Sequence, residues 1–145
     1  MKGRDLVLNT QGPVQITVLL LRLVAGLLLV QAGGLKLFGW FGGMPPGIEL
    51  STLLVVAGSL EVFGGAAIML GILTRPIAFV LSGEMAFAYF LGHFPQGFWP
   101  IQNHGEPAVL LCFILLFFAA YGAGEWSLDA FLRHKRQQQT VVAEQ

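Results

Sequence analysis

The chain has 145 residues, of which 55% are hydrophobic and 11% charged, against roughly 25% charged in soluble domains. With a mean hydropathy of +0.72, a soluble fold of this size could not cover its apolar surface with polar groups, so the composition excludes one. Eight basic and eight acidic residues cancel, which removes a nucleic-acid partner; the single cysteine, Cys112, removes disulfides, dithiol chemistry and cysteine-rich metal or iron–sulfur sites.

In chain order, a short segment 1–13 carrying Lys2 and Arg4 precedes the first apolar run, 14–38. That run exceeds the ~7–15-residue core of a signal peptide, is interrupted by Arg22, and is followed by no small-x-small cleavage site, so it reads as a membrane span. A second span covers 48–72, a third 76–94 and a fourth 107–122. A span needs about 20 residues at 1.5 Å each, so the last two lie near the lower limit and should tilt little or borrow interfacial loop residues. Only Leu73, Thr74 and Arg75 separate the second span from Pro76. Proline is accepted in a first helical turn, so spans two and three should form a tight antiparallel pair.

After the fourth span, Gly122-Ala123-Gly124 ends the helix and Trp126 suits an interface. Ser127 reads as the cap of an amphipathic helix with Asp129 in its first turn, Arg133, Lys135 and Arg136 in its last, and Leu128, Phe131 and Leu132 on an apolar side. Such a helix should lie on the cytoplasmic membrane surface, with residues from Gln137 onward disordered. The segment 14–126 is then the membrane domain and 127–145 a cytoplasmic tail. Loops 39–47 and 95–106 carry no Lys or Arg, whereas Lys2, Arg4, Arg75, Arg133, Lys135 and Arg136 fall in the other exposed segments. The positive-inside rule places both termini and the Arg75 turn in the cytoplasm. The expected fold is all-α: an integral membrane four-helix bundle, antiparallel up-down, both termini cytoplasmic, in contact with the bilayer.

Arg22, Glu61 and Glu84 each sit eight or more positions inside a span. A mid-helix charge costs about 2.5–3.5 kcal/mol on insertion scales, so each needs compensation. Counted from the cytoplasmic ends of their spans, their depths are roughly 12, 17 and 12 Å at 1.5 Å per residue. All three could therefore meet in one inner layer, either to fix helix packing or to carry a function. Along the first span Arg22, Gly26, Leu29, Gly33 and Lys36 recur at steps of three and four, one face bearing both cations and two glycines. Glycines allow close backbone approach, so this face should point into the bundle, opposite Gly58, Glu61 and Gly65. Lys36 then falls near the outer surface, in a second polar group with His93, His104 and Glu106. Two histidines and a glutamate at this spacing match no standard metal site, so no metal is expected.

Taken together these residues resemble the DoxX family of small four-helix bacterial membrane proteins. Arg22 with Gly26, and Gly33-Gly34-Leu35-Lys36, are similar to its first helix. Glu61-Val62-Phe63-Gly64-Gly65 with Leu70-Gly71 and Thr74-Arg75 are similar to its second helix and turn. Gly97-Phe98-Trp99-Pro100 with Asn103-His104-Gly105-Glu106 resembles its outer loop. The stretch from Gly122 to Asp129 resembles its C-terminal hallmark, with Ala123 where proline is common. The resemblance implies a multi-pass protein of the bacterial plasma (inner) membrane. Its name-giving member is linked to thiosulfate:quinone oxidoreduction, which implies a membrane subunit or anchor of a quinone-linked redox or oxidative-stress system. Such a subunit would be a non-catalytic partner of a soluble oxidoreductase, with a bound quinone and no cofactor held by a motif of its own. The intramembrane carboxylates also suit proton-coupled transport of a small solute by a homo-oligomer, and a structural assembly role needs neither.

Overall fold

The computed structural model describes residues 11–143. The basic N-terminal residues Lys2 and Arg4 lie outside the described residues. The described chain forms helices α1 (Gln11–Phe38), α2 (Thr52–Leu70), α3 (Thr74–Ala88), α4 (Pro100–Asn103), α5 (Glu106–Tyr121) and α6 (Leu128–Ala143). No strand occurs among the described residues.

Local chemistry sets several of the ends. Ser51 caps α2 by accepting the Leu54 N–H at 3.3 Å, so this helix starts four residues after the expected 48. Gly71, at φ 71, closes it in the left-handed conformation that glycine adopts without a Cβ clash. Pro76 and Pro107 occupy first turns of α3 and α5, where their missing N–H has no intrahelical partner to lose. The helix of α3 continues through a wider π turn, Tyr89–His93, and a 3-10 turn, Phe94–Gln96.

Among the described residues three helical stretches are long and apolar enough to cross a membrane: Gly12–Phe38, Thr52–Leu70 and Thr74–Gln96; the apolar helix Glu106–Tyr121 is shorter. Leu20, Val24, Phe63, Phe79, Phe87, Leu110 and Phe113 are all more than half exposed. In water such a surface would be ruinous, and in a bilayer it is the lipid-facing side.

The bundle consists of two antiparallel pairs, α1 with α2 and α3 with α5. The first pair is set by glycines one heptad apart. A Cβ on Gly26 would stand 2.6 Å from the Gly65 carbonyl oxygen, and one on Gly33 would stand 2.5 Å from that of Gly58. The side chain of Leu29, fully buried, fits between these two crossings. In the second pair Ser82 donates to the Cys112 carbonyl at 2.8 Å. Between the pairs runs one core, built by Val18, Ala25, Leu29, Ile68, Ala78, Leu81, Met85, Leu111, Leu115 and Phe118.

The last segment departs from a simple surface helix. Ser127 Oγ accepts the Ala130 N–H at 3.1 Å and starts α6, which runs to Ala143, past the Gln137 at which the sequence reads as disordered. Its first turn is fastened to the bundle. Asp129 accepts the Leu73 and Thr74 N–H groups, at 2.9 and 3.0 Å, on its two carboxylate oxygens. Its own N–H donates to the Gly71 carbonyl at 2.9 Å. Asp129 thereby caps α3, whose first turn supplies no capping side chain. Gln15 ties α1 to the same region, donating to Tyr121 Oη at 3.0 Å and accepting the Glu125 N–H at 2.9 Å. The start of α1, the Arg75 turn and the start of α6 therefore gather at one end of the bundle.

Candidate functional site

The glycine contacts fix the register between α1 and α2, and that register redistributes the expected charge layers. With Gly26 against Gly65 and Met69, Arg22 stands one turn further down, level with the end of α2. Its guanidinium lies under Gly71 and donates to two backbone carbonyls, Ala123 at 2.5 Å and Trp126 at 2.7 Å. Arg22 is 2% exposed. Its buried charge is thus answered by two carbonyls of the segment that joins α5 to α6 and by the nearby carboxylate of Asp129. The expected trio of Arg22, Glu61 and Glu84 is not assembled. Depths counted from span ends put the helices at one level, whereas Gly26 faces Gly65 and leaves the start of α1, at Gln11, well below the end of α2 at Leu70, which carries Arg22 down with it.

The cation that meets Glu61 is Lys36. Its Nζ donates to Oε2 at 2.5 Å and to Oε1 at 2.6 Å. Glu61 is 2% exposed, whereas the Lys36 side chain retains 20%. Desolvating an ion pair costs several kcal/mol per ion, and two charge-assisted hydrogen bonds on one carboxylate are the kind of geometry that offsets it. Lys36 therefore turns inward, toward Glu61, instead of grouping with the outer loop.

Glu61 reaches this position from an irregular piece of backbone. Residues Leu60–Gly64 form a π turn inside α2, a rare feature that concentrates at functional sites. Nothing in the sequence periodicity marks it. Glu84 on α3 lies in the electrostatic field of both Glu61 and Lys36. Its Oε2 is buried and has no hydrogen-bond partner in the protein. Such an orphaned acceptor is costly inside a protein and calls for an explanation. One cation and two carboxyl groups are thus brought together on three otherwise apolar helices.

The outer loop is organised around a residue that charge reasoning overlooked. Asn103 is 1% exposed. Its Nδ2 donates to the Gly97 carbonyl at 2.6 Å, its Oδ1 accepts the Gly105 N–H at 2.8 Å, and its carbonyl pairs with His93 Nδ1 at 3.0 Å. Tyr89 donates its hydroxyl to the Phe98 carbonyl alongside. The signal was present in the Asn103-His104-Gly105 sequence: His104 adopts φ 56, and the preceding Asn folds over the turn. His93 is half-buried in this turn, while His104 and Glu106 are exposed. Among the described residues no group of three or more His, Cys, Asp or Glu side chains is placed to hold a metal ion. The outer set of Lys36, His93, His104 and Glu106 is accordingly split between an ion pair, a loop hydrogen bond and open surface.

Comparison with known proteins agrees with this architecture. The DoxX family model matches residues 17–94, which span α1 to α3 with both members of the ion pair and Glu84. An "Uncharacterized protein" of Haemophilus influenzae (strain ATCC 51907 / DSM 11121 / KW20 / Rd) is 46% identical over 80 residues, covering 53% of this chain and 60% of the relative. The "Inner membrane protein YqjF" of Escherichia coli (strain K12) is 30% identical over 129 residues, covering 83% of this chain and 95% of the relative. No solved structure matches the chain. A family model covering more than half of the chain, and a relative matched along nearly its whole length, establish that this membrane protein belongs to the DoxX family.

Proposed function

We propose that this protein is the inner-membrane subunit of a quinone-linked redox system. In this reading it crosses the membrane four times with both termini in the cytoplasm, and the Lys36–Glu61–Glu84 cluster binds a quinone head and exchanges protons with it. The observation that carries the reading is this cluster. An ion pair and a second carboxyl with an orphaned oxygen stand among apolar helices, at a π turn. Ionisable groups at such a depth mark ion, proton or ligand sites by default. The orphaned Glu84 oxygen fits a ligand that brings one hydroxyl to the carboxylate, or one carbonyl to the protonated carboxyl.

The orientation rests on charge. Arg75, Arg133, Lys135 and Arg136 belong to the end where the Arg75 turn meets α6, and loops 39–47 and 95–106 hold no Lys or Arg. Glu106–Tyr121 has 16 residues, about 24 Å of helix at 1.5 Å per residue. The preceding α4 turn and outer loop extend it toward the full apolar thickness. The resemblance-implied link of the family to quinone chemistry favours the redox reading, and the name of the Escherichia coli relative supports the location alone. The chain has no motif for a redox cofactor, so electrons are assigned to a soluble partner subunit.

Native mass spectrometry of the protein released in mild detergent, with lipids and quinones retained, tests this. The expected result is a quinone adduct on the natural protein that is lost in Glu84→Gln and Glu61→Gln. A quinone-free protein in both natural and variant forms would sink the proposal. The π turns in α2 and α3 favour a second reading, proton-coupled movement of a small solute, because irregular backbone at membrane depth is found where it lines a cavity. Solute uptake into vesicles that disappears in Glu61→Gln would establish it instead.

A further inference from the structure

Between α2 and α3 lies a groove of about 500 Å³, lined by Ser59, Leu60, Phe63 and Gly64 on one side and by Leu73, Pro76, Ile77, Val80 and Leu81 on the other. That size falls within the roughly 300–1,000 Å³ of small-molecule sites. Its polarity is very low. The one hydroxyl in the lining, Ser59 Oγ, is already used on the Val55 carbonyl at 2.7 Å. Only hydrocarbon fits such a wall without stranding a polar group.

The groove opens to the bilayer. Phe63, Leu73 and Val80 are each at least half exposed, so it is continuous with the lipid-facing surface. Its shape comes from the same backbone irregularity that builds the charged site. Leu60, Phe63 and Gly64 all belong to the π turn that presents Glu61 to Lys36. Gly64 is a contact point: a Cβ there would stand 2.9 Å from a methyl of Leu81. One helical turn beyond Val80 and Leu81, at the i+4 and i+3 positions and hence on the same side of α3, comes Glu84 with its orphaned Oε2.

We infer that the α2–α3 groove binds the single hydrocarbon tail of a membrane-dissolved amphiphile whose small neutral head reaches Glu84, a hydroxyl donating to its carboxylate or a carbonyl accepting from its protonated form. The inference rests on the quinone reading for the identity of that molecule, a long-chain quinone or quinol, and adds where its tail lies. A phospholipid is a poorer occupant. Its charged head belongs at the membrane surface, which would leave the Glu84 oxygen unanswered and the groove filled by an acyl chain alone. A head that needs only one hydrogen bond at membrane depth suits the inner end of this groove.

The test uses the full chain in phosphatidylcholine nanodiscs loaded with a long-chain benzoquinol, with a tail-less benzoquinol in a parallel series, bound quinol being measured after washing. Val80→Trp, and Leu60→Trp on the facing wall, fill the groove from its lipid-exposed side. Leu110→Trp adds the same bulk to a lipid-exposed position on α5. Retention of the long-chain quinol should fall by about tenfold in both groove variants, equivalent to ~1.4 kcal/mol of lost contact, and stay unchanged in Leu110→Trp. The tail-less compound should bind more weakly, ignore Val80→Trp and be lost in Glu84→Leu, which leaves no hydrogen-bonding group for the head. Equal retention of the long-chain quinol in the natural protein and both groove variants would overturn the tail site, while its loss in Glu84→Leu would leave the quinone reading standing. A groove occupied only by phospholipid, seen as a lipid adduct displaced by Val80→Trp with no quinol bound, would overturn the inference as well.

Discussion

Lys36, six residues above the level of Val30 on α1, reaches down to grip both carboxylate oxygens of Glu61, which the π turn of α2 delivers into the bundle. Two irregularities are thus matched to each other. A long flexible cation near the end of one helix is drawn inward, and a short acidic side chain in the middle of another is turned toward it. The α1–α2 glycine register leaves Lys36 as the partner, because it holds Arg22 at the opposite level.

Removing one member of this pair should therefore cost more than removing both. Lys36→Met leaves the Glu61 carboxylate buried without its cation, a loss of about 3–5 kcal/mol for a broken buried pair. The double variant Lys36→Met with Glu61→Gln should recover most of that stability. Thermal unfolding in detergent gives the comparison, and losses that simply add would show that the two side chains do not depend on each other.

The glycine crossings predict a sharp contrast between positions. Gly26→Leu and Gly65→Leu each drive a side chain into a backbone carbonyl less than 3 Å from its Cβ. They should destabilise by at least the ~1–3 kcal/mol typical of overpacking, or abolish the fold. Gly83→Ala meets nothing within 4 Å on α3. It should be neutral or stabilise by up to ~1 kcal/mol, the helix-propensity difference. Fluorescence-detected size exclusion after graded heating would rank the three.

Arg22 is expected to act as a clamp on the C-terminal segment. Arg22→Lys keeps the charge but loses the planar fork that serves the Ala123 and Trp126 carbonyls together. The expected cost is about 1.5–3 kcal/mol, the worth of one charged hydrogen bond. Limited proteolysis should cut 122–127 faster in the variant. Intact resistance there would mean that the two carbonyl contacts do not hold the segment.

Asp129 should behave as a helix cap supplied from a distance. Asp129→Ala removes the acceptors for the Leu73 and Thr74 N–H groups, at a cost of about 0.5–2 kcal/mol. Hydrogen exchange in the 73–76 segment should accelerate, while Asp129→Asn, which keeps one good acceptor, should change it less. Unaltered exchange in Asp129→Ala would exclude the cap.

Much of the fold is legible in the chain itself. Apolar runs interrupted by Gly and Pro mark where the helices lie, and the steps of three and four through Arg22, Gly26, Leu29, Gly33 and Lys36 identify the buried face of α1. The C-terminal hallmark is legible as a capped amphipathic helix, although its attachment is not. Asp129 reads as a favourable charge in its own first turn, and only the folded chain shows it capping α3 as well. The pairing of charges is the least legible feature. Counting residues from the ends of spans treats the helices as starting at a common level, and the contacts of Gly26 and Gly33 shift α1 against α2 enough to exchange Arg22 for Lys36.

What the sequence by itself determined is what short-range chemistry controls: the approximate position of the apolar helical segments, the inward face of α1, and the presence of a few charges that must be compensated. What the tertiary structure alone decided is which charges meet, the π turn at Glu61, and the groove beside it. These depend on how far one helix slides and turns against its neighbour. That quantity is fixed by close contacts between residues far apart in the chain, which no local pattern records.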